Sequence, residues 1–348
     1  MKCIIIGAGK VGFSIAQLLS TEEHDVTVIE FDTERASLID DALDVQVING
    51  SGSSWRTLEK GGVKYADMVV AVTEFDELNM IACLLAKQYG VKTTVARVRN
   101  PEYLETPHFS PESLLGIDLI INPERVTALE ISKLVKNPSA LNVEYYAQGR
   151  VQLMELAVEE NSFMAGKQIK SLNTTHFVIV AITRKHKMIV PGGDEVITAG
   201  DHIYIMANTA EMPHVLQSLG IIHKKIEHIT ILGAGRTGTY LAHILEEKRL
   251  PVSIKIIERD PKRARDASIK LKRTLVINGD GSDLDLLENE NVGQSDLFVA
   301  LTNDDKLNLL SSLIAQNLGV NKTIAKINRS DIMPLMQQIG INVVLSPR

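Results

Sequence analysis

Cysteine is scarce in this chain: Cys3 and Cys83 are the only two, each inside an apolar run. That excludes a disulfide framework and a thiolate metal site, and it fits a reducing compartment. Aromatic residues make up only 4% of the sequence, so the cores have to be aliphatic. Long hydrophobic runs are missing too. The best are short, such as Phe177-Val-Ile-Val-Ala-Ile182, against the roughly 18 residues needed to cross a bilayer. The opening Met1-Lys-Cys-Ile-Ile-Ile6 is too short for a secretory signal. Positive charge is not in excess either. Lys and Arg number 37 and Asp and Glu 43, a net charge of −6, which excludes a generally basic protein that coats nucleic acid. A soluble, cytoplasmic protein is expected, and 348 residues predict two or three domains.

What is present is a repeat. KCIIIGAGKVG (2–12) returns as HITILGAGRTG (228–238), VTVIEFD (26–32) as IKIIERD (254–260), and VINGSGS (47–53) as VINGDGS (276–282). ADMVVAVTEFDELN (66–79) returns as SDLFVALTNDDKLN (295–308), TTVARV (93–98) as KTIAKI (322–327), and GIDLIINP (116–123) as GINVVLSP (340–347). Blocks kept in one order at an offset near 226 mean duplication of a whole domain rather than a solenoid period.

Each copy reads as strands alternating with helices. In the first, strands are predicted at 2–6, 26–30, 45–48, 68–72, 93–97 and 118–121. Helices are predicted from Lys10 (apolar face Val11, Ile15, Leu18 and Leu19), at about 33–43, 54–60 and 76–89, with helical turns at 101–115. Apolar strands at this spacing imply right-handed βαβ crossovers and a doubly wound parallel sheet. The fold class is therefore α/β, with two Rossmann-like domains at 1–123 and 226–348. Residues 124–136 read as an amphipathic helix with Val126, Leu129, Leu134 and Val135 as apolar positions, stopped by Asn137-Pro138. It is expected to be a crossover by which one Rossmann domain grips another, so that Asp at Leu129 and Leu134 breaks a dimer. Residues 143–221 form a small β-rich unit closed by a helix near 211–219, and 124–142 link it to the first domain. Pro347 stands where Pro123 does, with no second β-rich unit after it.

The chemistry sits in the glycines and acids. Gly7-Ala8-Gly9-Lys10-Val11-Gly12 and Gly233-Ala234-Gly235-Arg236-Thr237-Gly238 each follow a buried strand and open a helix. In that context the pattern cradles a pyrophosphate on a helix N-terminus. The second strands end in Glu30 and Glu258, placed to take ribose hydroxyls and to repel an added 2′-phosphate. That favours NAD(H), or ATP and ADP, over NADP. Asp32 and Asp260 read better as helix N-caps. The loops carrying Ser51 and Ser53, and Asp280 and Ser282, lie at the carboxyl end of the sheet and can meet an adenine edge, or are ordinary turns. Thr73 and Thr302 end the fourth strands. Arg97 and Arg99 end the fifth and can reach phosphates, or are solvated strand-end charge; the second copy has Lys326 and Asn328 there. The basic stretch Lys262–Arg273 lacks interleaved aromatics and reads as a solvated helix face, so no nucleic-acid partner is expected.

Catalytic equipment is not evident. His176, His186, His202 and His214 form no constellation with acids and nucleophiles, and no metalloprotease, P-loop or nucleophile-elbow motif occurs. A nicotinamide-dependent oxidoreductase using the β-rich unit for substrate is the alternative reading. A calcium-responsive relative, with Glu159-Glu160 and Asp194-Glu195 as ligands, is a third.

Gly-Ala-Gly-x-x-Gly, the acidic strand tip, VINGxGS and AVTxxDxxN together resemble the RCK (regulator of potassium conductance) domain, and 143–220 resembles its RCK-C subdomain. Two such units in tandem are similar to the TrkA family. The resemblance implies a non-enzymatic regulatory subunit on the cytoplasmic face of a membrane potassium transporter of the TrkH/TrkG type. It implies assembly into dimers and tetramers, and NAD(H) or adenine nucleotides bound in the Rossmann crevices. It puts Gly7, Gly9, Gly12, Glu30, Ser53, Thr73 and Arg97 on nucleotide-contacting positions, and likewise Gly233, Gly235, Gly238, Glu258, Asp280 and Thr302. Ser51 departs from the acid common at its position.

Overall fold

The computed structural model describes residues 1–104, 111–172, 175–185, 187–221 and 225–346. His186 and Pro347, and part of the turns predicted at 101–115, lie outside them. The chain divides into two compact units, Met1–Val126 and the chain from Thr127 onward.

The first unit runs β1 (Lys2–Ile6), α1 (Lys10–Thr21), β2 (Asp25–Glu30), α2 (Thr33–Ala42), β3 (Gln46–Asn49), α3 (Trp55–Lys60), β4 (Met68–Ala71), α4 (Asp76–Gln88), β5 (Thr93–Arg97), α5 (Pro101–Leu104), α6 (Pro111–Leu115) and β6 (Leu119–Ile121). Helix α7 (Pro123–Lys136) begins in it and ends in the second unit. The six strands form one parallel sheet in the order β3-β2-β1-β4-β5-β6. The order reverses between β1 and β4, the position at which open α/β sheets leave a crevice at their carboxyl ends. Consecutive residues of β1 are buried on opposite faces: Ile4 and Ile6 join Ile29, Leu58 and Ala82 on one side, and Ile5 joins Ala16, Val28 and Ile39 on the other. That is why the strand reads as an unbroken apolar run rather than an alternating one. Leu18 does not belong to the buried face of α1; it is 59% exposed, and Gly12 and Ala16 are the buried residues there.

The second unit continues with β7 (Asn142–Tyr146), β8 (Val151–Ala157), β9 (Phe177–Arg184), β10 (Lys187–Ile189), β11 (His202–Asn208) and α8 (Met212–Ser218). These strands pair antiparallel in the order β10-β9-β11-β8-β7. Their burial alternates along β8 and β11, the sign of a sheet with one face on a core. Then follow β12 (His228–Leu232), α9 (Arg236–Glu247), β13 (Ser253–Glu258), α10 (Pro261–Lys270), β14 (Thr274–Asn278), α11 (Leu284–Asn289), β15 (Leu297–Ala300), α12 (Asp305–Asn317), β16 (Lys322–Lys326), α13 (Met333–Ile339) and β17 (Val343–Leu345). The parallel order β14-β13-β12-β15-β16-β17 reproduces the first sheet.

One continuous core ties the second unit together. Ala128, Ile131, Leu134 and Val135 of α7 share it with Met154 and Ile205 of the antiparallel sheet and with Tyr240, Leu241 and Leu245 of α9. Lys248, just past α9, donates to Ser132 Oγ of α7 at 3.0 Å. The helix therefore grips the second Rossmann domain of its own chain. This corrects the reading of Leu134 as a contact between chains: it is 3% exposed within the unit, whereas Val126 is 49% exposed.

Candidate functional site

The two glycine turns are built alike, and each glycine meets a different constraint. Gly7 and Gly233 have φ of +102° and +103°, a region that side-chain-bearing residues rarely adopt. Their amides donate to Ile29 O and Ile257 O, which ties each turn to the neighbouring strand. A Cβ on Gly12 would stand 1.8 Å from Gly7 O, and one on Gly238 2.1 Å from Gly233 O. Those glycines let helix and strand close together. Gly9 and Gly235 have nothing within 4 Å of an added Cβ. They are the N-caps of α1 and α9, and neither makes a side-chain capping bond. Each helix start thus faces open space with backbone N–H groups and a positive dipole end, the arrangement that suits a phosphate. Lys10 and Arg236 are exposed beside these starts, Val11 is partly buried, and Thr237 is buried.

Glu30 and Glu258 stand at the strand tips. Both are 8% exposed, and both carboxylates are held by backbone. Glu30 Oε2 accepts from Ala8 N at 2.5 Å and Oε1 from Asp32 N at 2.9 Å. Glu258 Oε2 accepts from Ala234 N at 2.7 Å and Oε1 from Asp260 N at 2.8 Å. Each acid therefore braces its glycine turn, and each oxygen retains a second lone pair for a sugar hydroxyl. Asp32 caps α2 through Glu34 N and Arg35 N, and Asp260 caps α10 through Arg263 N.

The loops after β3 and β14 are cross-braced turns. Asp280 Oδ1 accepts from Ser282 N and Ser282 Oγ at 2.9 and 2.7 Å. Those bonds, the backbone one first, hold its carboxyl below the usual carboxylate range. In the first copy Ser51 does the same work, its hydroxyl 2.9 Å from Ser53 Oγ. A Cβ on Gly52 would fall 2.1 Å from Ile6, and one on Gly281 2.2 Å from Leu232, so both loops lie flat on the end of the central strand.

Two residues that sequence reasoning passed over organise the opposite wall. Asn79 is fully buried. Its Oδ1 accepts from Thr73 N and Thr73 Oγ1, and its Nδ2 donates to Thr73 O and Arg97 O. Asn308 does the same for Thr302 and Lys326. The signal was available: both asparagines close the repeated AVTEFDELN and ALTNDDKLN blocks. A Cβ on Gly7 would stand 3.1 Å from Thr73, and one on Gly233 3.3 Å from Thr302 N, so each threonine closes over its glycine turn. Arg97 ends β5 on the same edge of the sheet, and Lys326 ends β16, its ammonium 3.0 Å from Asn303 Oδ1. In both copies the structure brings together the glycine turn, the acid, the β3 loop or its equivalent, and the threonine. His202 pairs with Glu155, which raises its pKa, and His176 lies 3.3 Å from Glu211.

A model of the TrkA-N domain matches residues 3–123 and 229–347, and a model of the TrkA-C domain matches 153–220. The chain belongs to the TrkA family. The whole chain is 38% identical to Trk system potassium uptake protein trkA homolog 1 of Methanosarcina mazei, covering 86% of that protein. It is 34% identical to Trk system potassium uptake protein TrkA of Halomonas elongata, covering 77% of it. Among solved structures, the GsuK channel superposes on 99% of the chain with a TM-score of 0.75 at 19% identity. The chain spans 61% of that channel, and the likeness is one of fold. A GsuK channel bound to NAD gives a TM-score of 0.74 at 19% identity. The TrkA relatives carry the names of potassium-uptake proteins, not of enzymes. Among the described residues no helix is long and apolar enough to cross a membrane.

Proposed function

We propose that this TrkA-family chain is a nucleotide-sensing regulatory subunit, not an enzyme, that binds NAD(H) or ADP and ATP and controls a membrane potassium transporter of the TrkH/TrkG type. It works from the cytoplasmic face of the membrane, as a dimer or tetramer. Rossmann domains at 1–123 and 226–348 are the receptors, and the linker at 124–142 and the subdomain at 143–221 carry the response. The observation that carries this reading is the open space over Gly9 and Gly235 at two uncapped helix starts, each backed by a braced glutamate. In each crevice the helix start takes the phosphates. Glu30 and Glu258 take ribose hydroxyls, the loops with Ser51, Ser53, Asp280 and Ser282 meet the base, and Thr73, Thr302 and Arg97 close the far side. A ligand that fits one arrangement of these elements better than another shifts the population towards it. The potassium-uptake names of the relatives, and a GsuK channel bound to NAD in the same fold, support the assignment.

Calorimetric titration of the full chain with NADH, NAD, ATP and ADP tests it, with Gly9→Val and Gly235→Val measured separately. Each valine is expected to remove one binding event. If both variants bind as the wild type does, the sites are elsewhere.

A further inference from the structure

The first crevice contains a buried charge whose bonding is incomplete. Asp76 opens α4 and is 8% exposed. Its Oδ2 is fully used, accepting from Arg99 N at 2.9 Å and Asn100 N at 2.8 Å, which pins the turn after β5. Its Oδ1 accepts no hydrogen bond among the described residues, and faces Arg99 Nε at 3.8 Å. Arg99 Nε likewise donates none, while Arg99 Nη2 donates to Glu74 O at 2.6 Å. A buried carboxylate oxygen and a buried guanidinium nitrogen thus stand opposite each other, beyond hydrogen-bond reach. A complementary pair left unmade in this way is costly in a well-packed interior.

The place matters. Asn79, three residues along α4, joins Thr73 O to Arg97 O, and Thr73 packs on the Gly7 turn. Asp76 and Arg99 therefore flank the far wall of the crevice proposed to hold phosphates. The second copy is built differently. Asp305 takes the place of Asp76, but Asn328 stands where Arg99 does, and Asp305 Oδ1 accepts from both Asn328 N and Asn328 Nδ2. That oxygen is bonded twice by the asparagine, and the position of Arg99 carries no guanidinium there.

Resting on the nucleotide-binding reading above, we propose that Asp76 is a positioning residue that holds the Arg99 guanidinium in reserve and so sets how strongly the first crevice distinguishes adenosine polyphosphates by their terminal phosphates. While Arg99 is parked between Asp76 and Glu74 O, its charge is partly spent on the carboxylate. A ligand with one phosphate gains little from moving it. A ligand with three phosphates reaches further along the wall and draws the guanidinium away into charge-assisted bonds. The second crevice has asparagine at that position, bonded to Asp305 by backbone and side chain.

The test is titration of the full chain carrying Gly235→Val, so that the first crevice alone is read, with AMP and ATP. Asp76→Asn keeps an oxygen for the two backbone amides and turns an NH2 group towards Arg99, which releases it. The ATP-to-AMP affinity ratio is expected to rise about tenfold, the worth of one charge-assisted hydrogen bond. Arg99→Gln leaves the buried carboxylate pinned by backbone, and is expected to bring the ratio down by a similar factor. A ratio that Asp76→Asn leaves unchanged or lowers, in a protein that still binds ATP, overturns the proposal. So does a ratio unmoved by Arg99→Gln, which stands as the deciding variant if Asp76→Asn does not fold. Absence of any nucleotide binding to the Gly235→Val chain, with Gly9 intact, removes the reading on which it rests.

Discussion

Lys322 and Ala140 lie 182 residues apart, and the lysine ammonium donates to the alanine carbonyl at 2.5 Å. The same ammonium donates to Pro138 O at 2.8 Å. β16 of the second Rossmann domain is thereby pinned to the connection between α7 and the antiparallel sheet. Burial pushes this lysine down from its ordinary value near 10.5 to about 8. The folded chain therefore binds the proton less tightly than the unfolded chain. Between pH 8 and 10.5 the unfolded state holds more protons, so stability from this group rises with pH in that window. Urea unfolding of wild type against Lys322→Met should show the wild type gaining on the variant by on the order of 2–3 kcal/mol from pH 8 to 10.5. A difference that stays flat with pH contradicts this.

Leu134 offers a contrast along one helix. It lies in the shared core of the second unit, while Val126 on the same helix is exposed. Leu134→Ala should cost about 2–5 kcal/mol of unfolding free energy, as cavity-forming core truncations do. Val126→Ala should stay within about 0.5 kcal/mol. Denaturant melts of both variants, with sedimentation to follow the oligomeric state, separate a core role for this helix from a role between chains.

The duplicated strand-turn-helix order was legible because buried parallel strands leave unbroken apolar runs, and because duplication shows the pattern twice. Glycine turns and N-caps were legible because backbone geometry demands particular residues at particular offsets. The bracing of Glu30 by Ala8 N was not. Spacing placed the acid at the strand tip, but a bond from the first strand's turn to the second strand's end is set by sheet order, which no local pattern encodes. Asn79 and Asn308 were visible as repeated letters, but their four-bonded burial depends on strands β5 and β16 lying alongside. Leu18 was misplaced because an apolar face wider than the sheet contact leaves its edge in solvent.

Asp201 carries a further prediction in the antiparallel subdomain. It is fully buried and takes both Arg184 Nε and Arg184 Nη2 at 2.8 Å, with Thr198 N also at 2.8 Å. Burial alone would raise its pKa, but Arg184 and Thr198 outweigh burial and leave it lowered. A lowered folded value stabilises the protein above the unfolded aspartate pKa of about 3.9, and that contribution is lost as pH falls through the folded value. Asp201→Asn should cost about 3 kcal/mol at neutral pH, because it leaves Arg184 with one carboxylate, Glu195, instead of two. The gap between wild type and variant should narrow below about pH 4. Unfolding midpoints measured from pH 7 to pH 3 check both the size and the sign.

Gly9 and Gly12 separate binding from folding within one turn. Gly9 has φ of −67° and ψ of 179°, which any residue adopts, and open space above it. Gly9→Val should fold with wild-type stability and lose nucleotide affinity in the first crevice by tenfold or more, about 1.4 kcal/mol at the least. Gly12 lies inside α1, but its Cβ would meet the Gly7 carbonyl oxygen, a backbone atom that no rotamer change can move. Gly12→Ala should therefore force α1 off the sheet and cost about 3 kcal/mol. Its effect on binding should follow from that loss of structure. Thermal melts beside titrations on the two variants give opposite patterns if the turn works this way. A Gly12→Ala chain as stable as the wild type, or a Gly9→Val chain that binds normally, would show that the turn's two constraints are not divided between these residues.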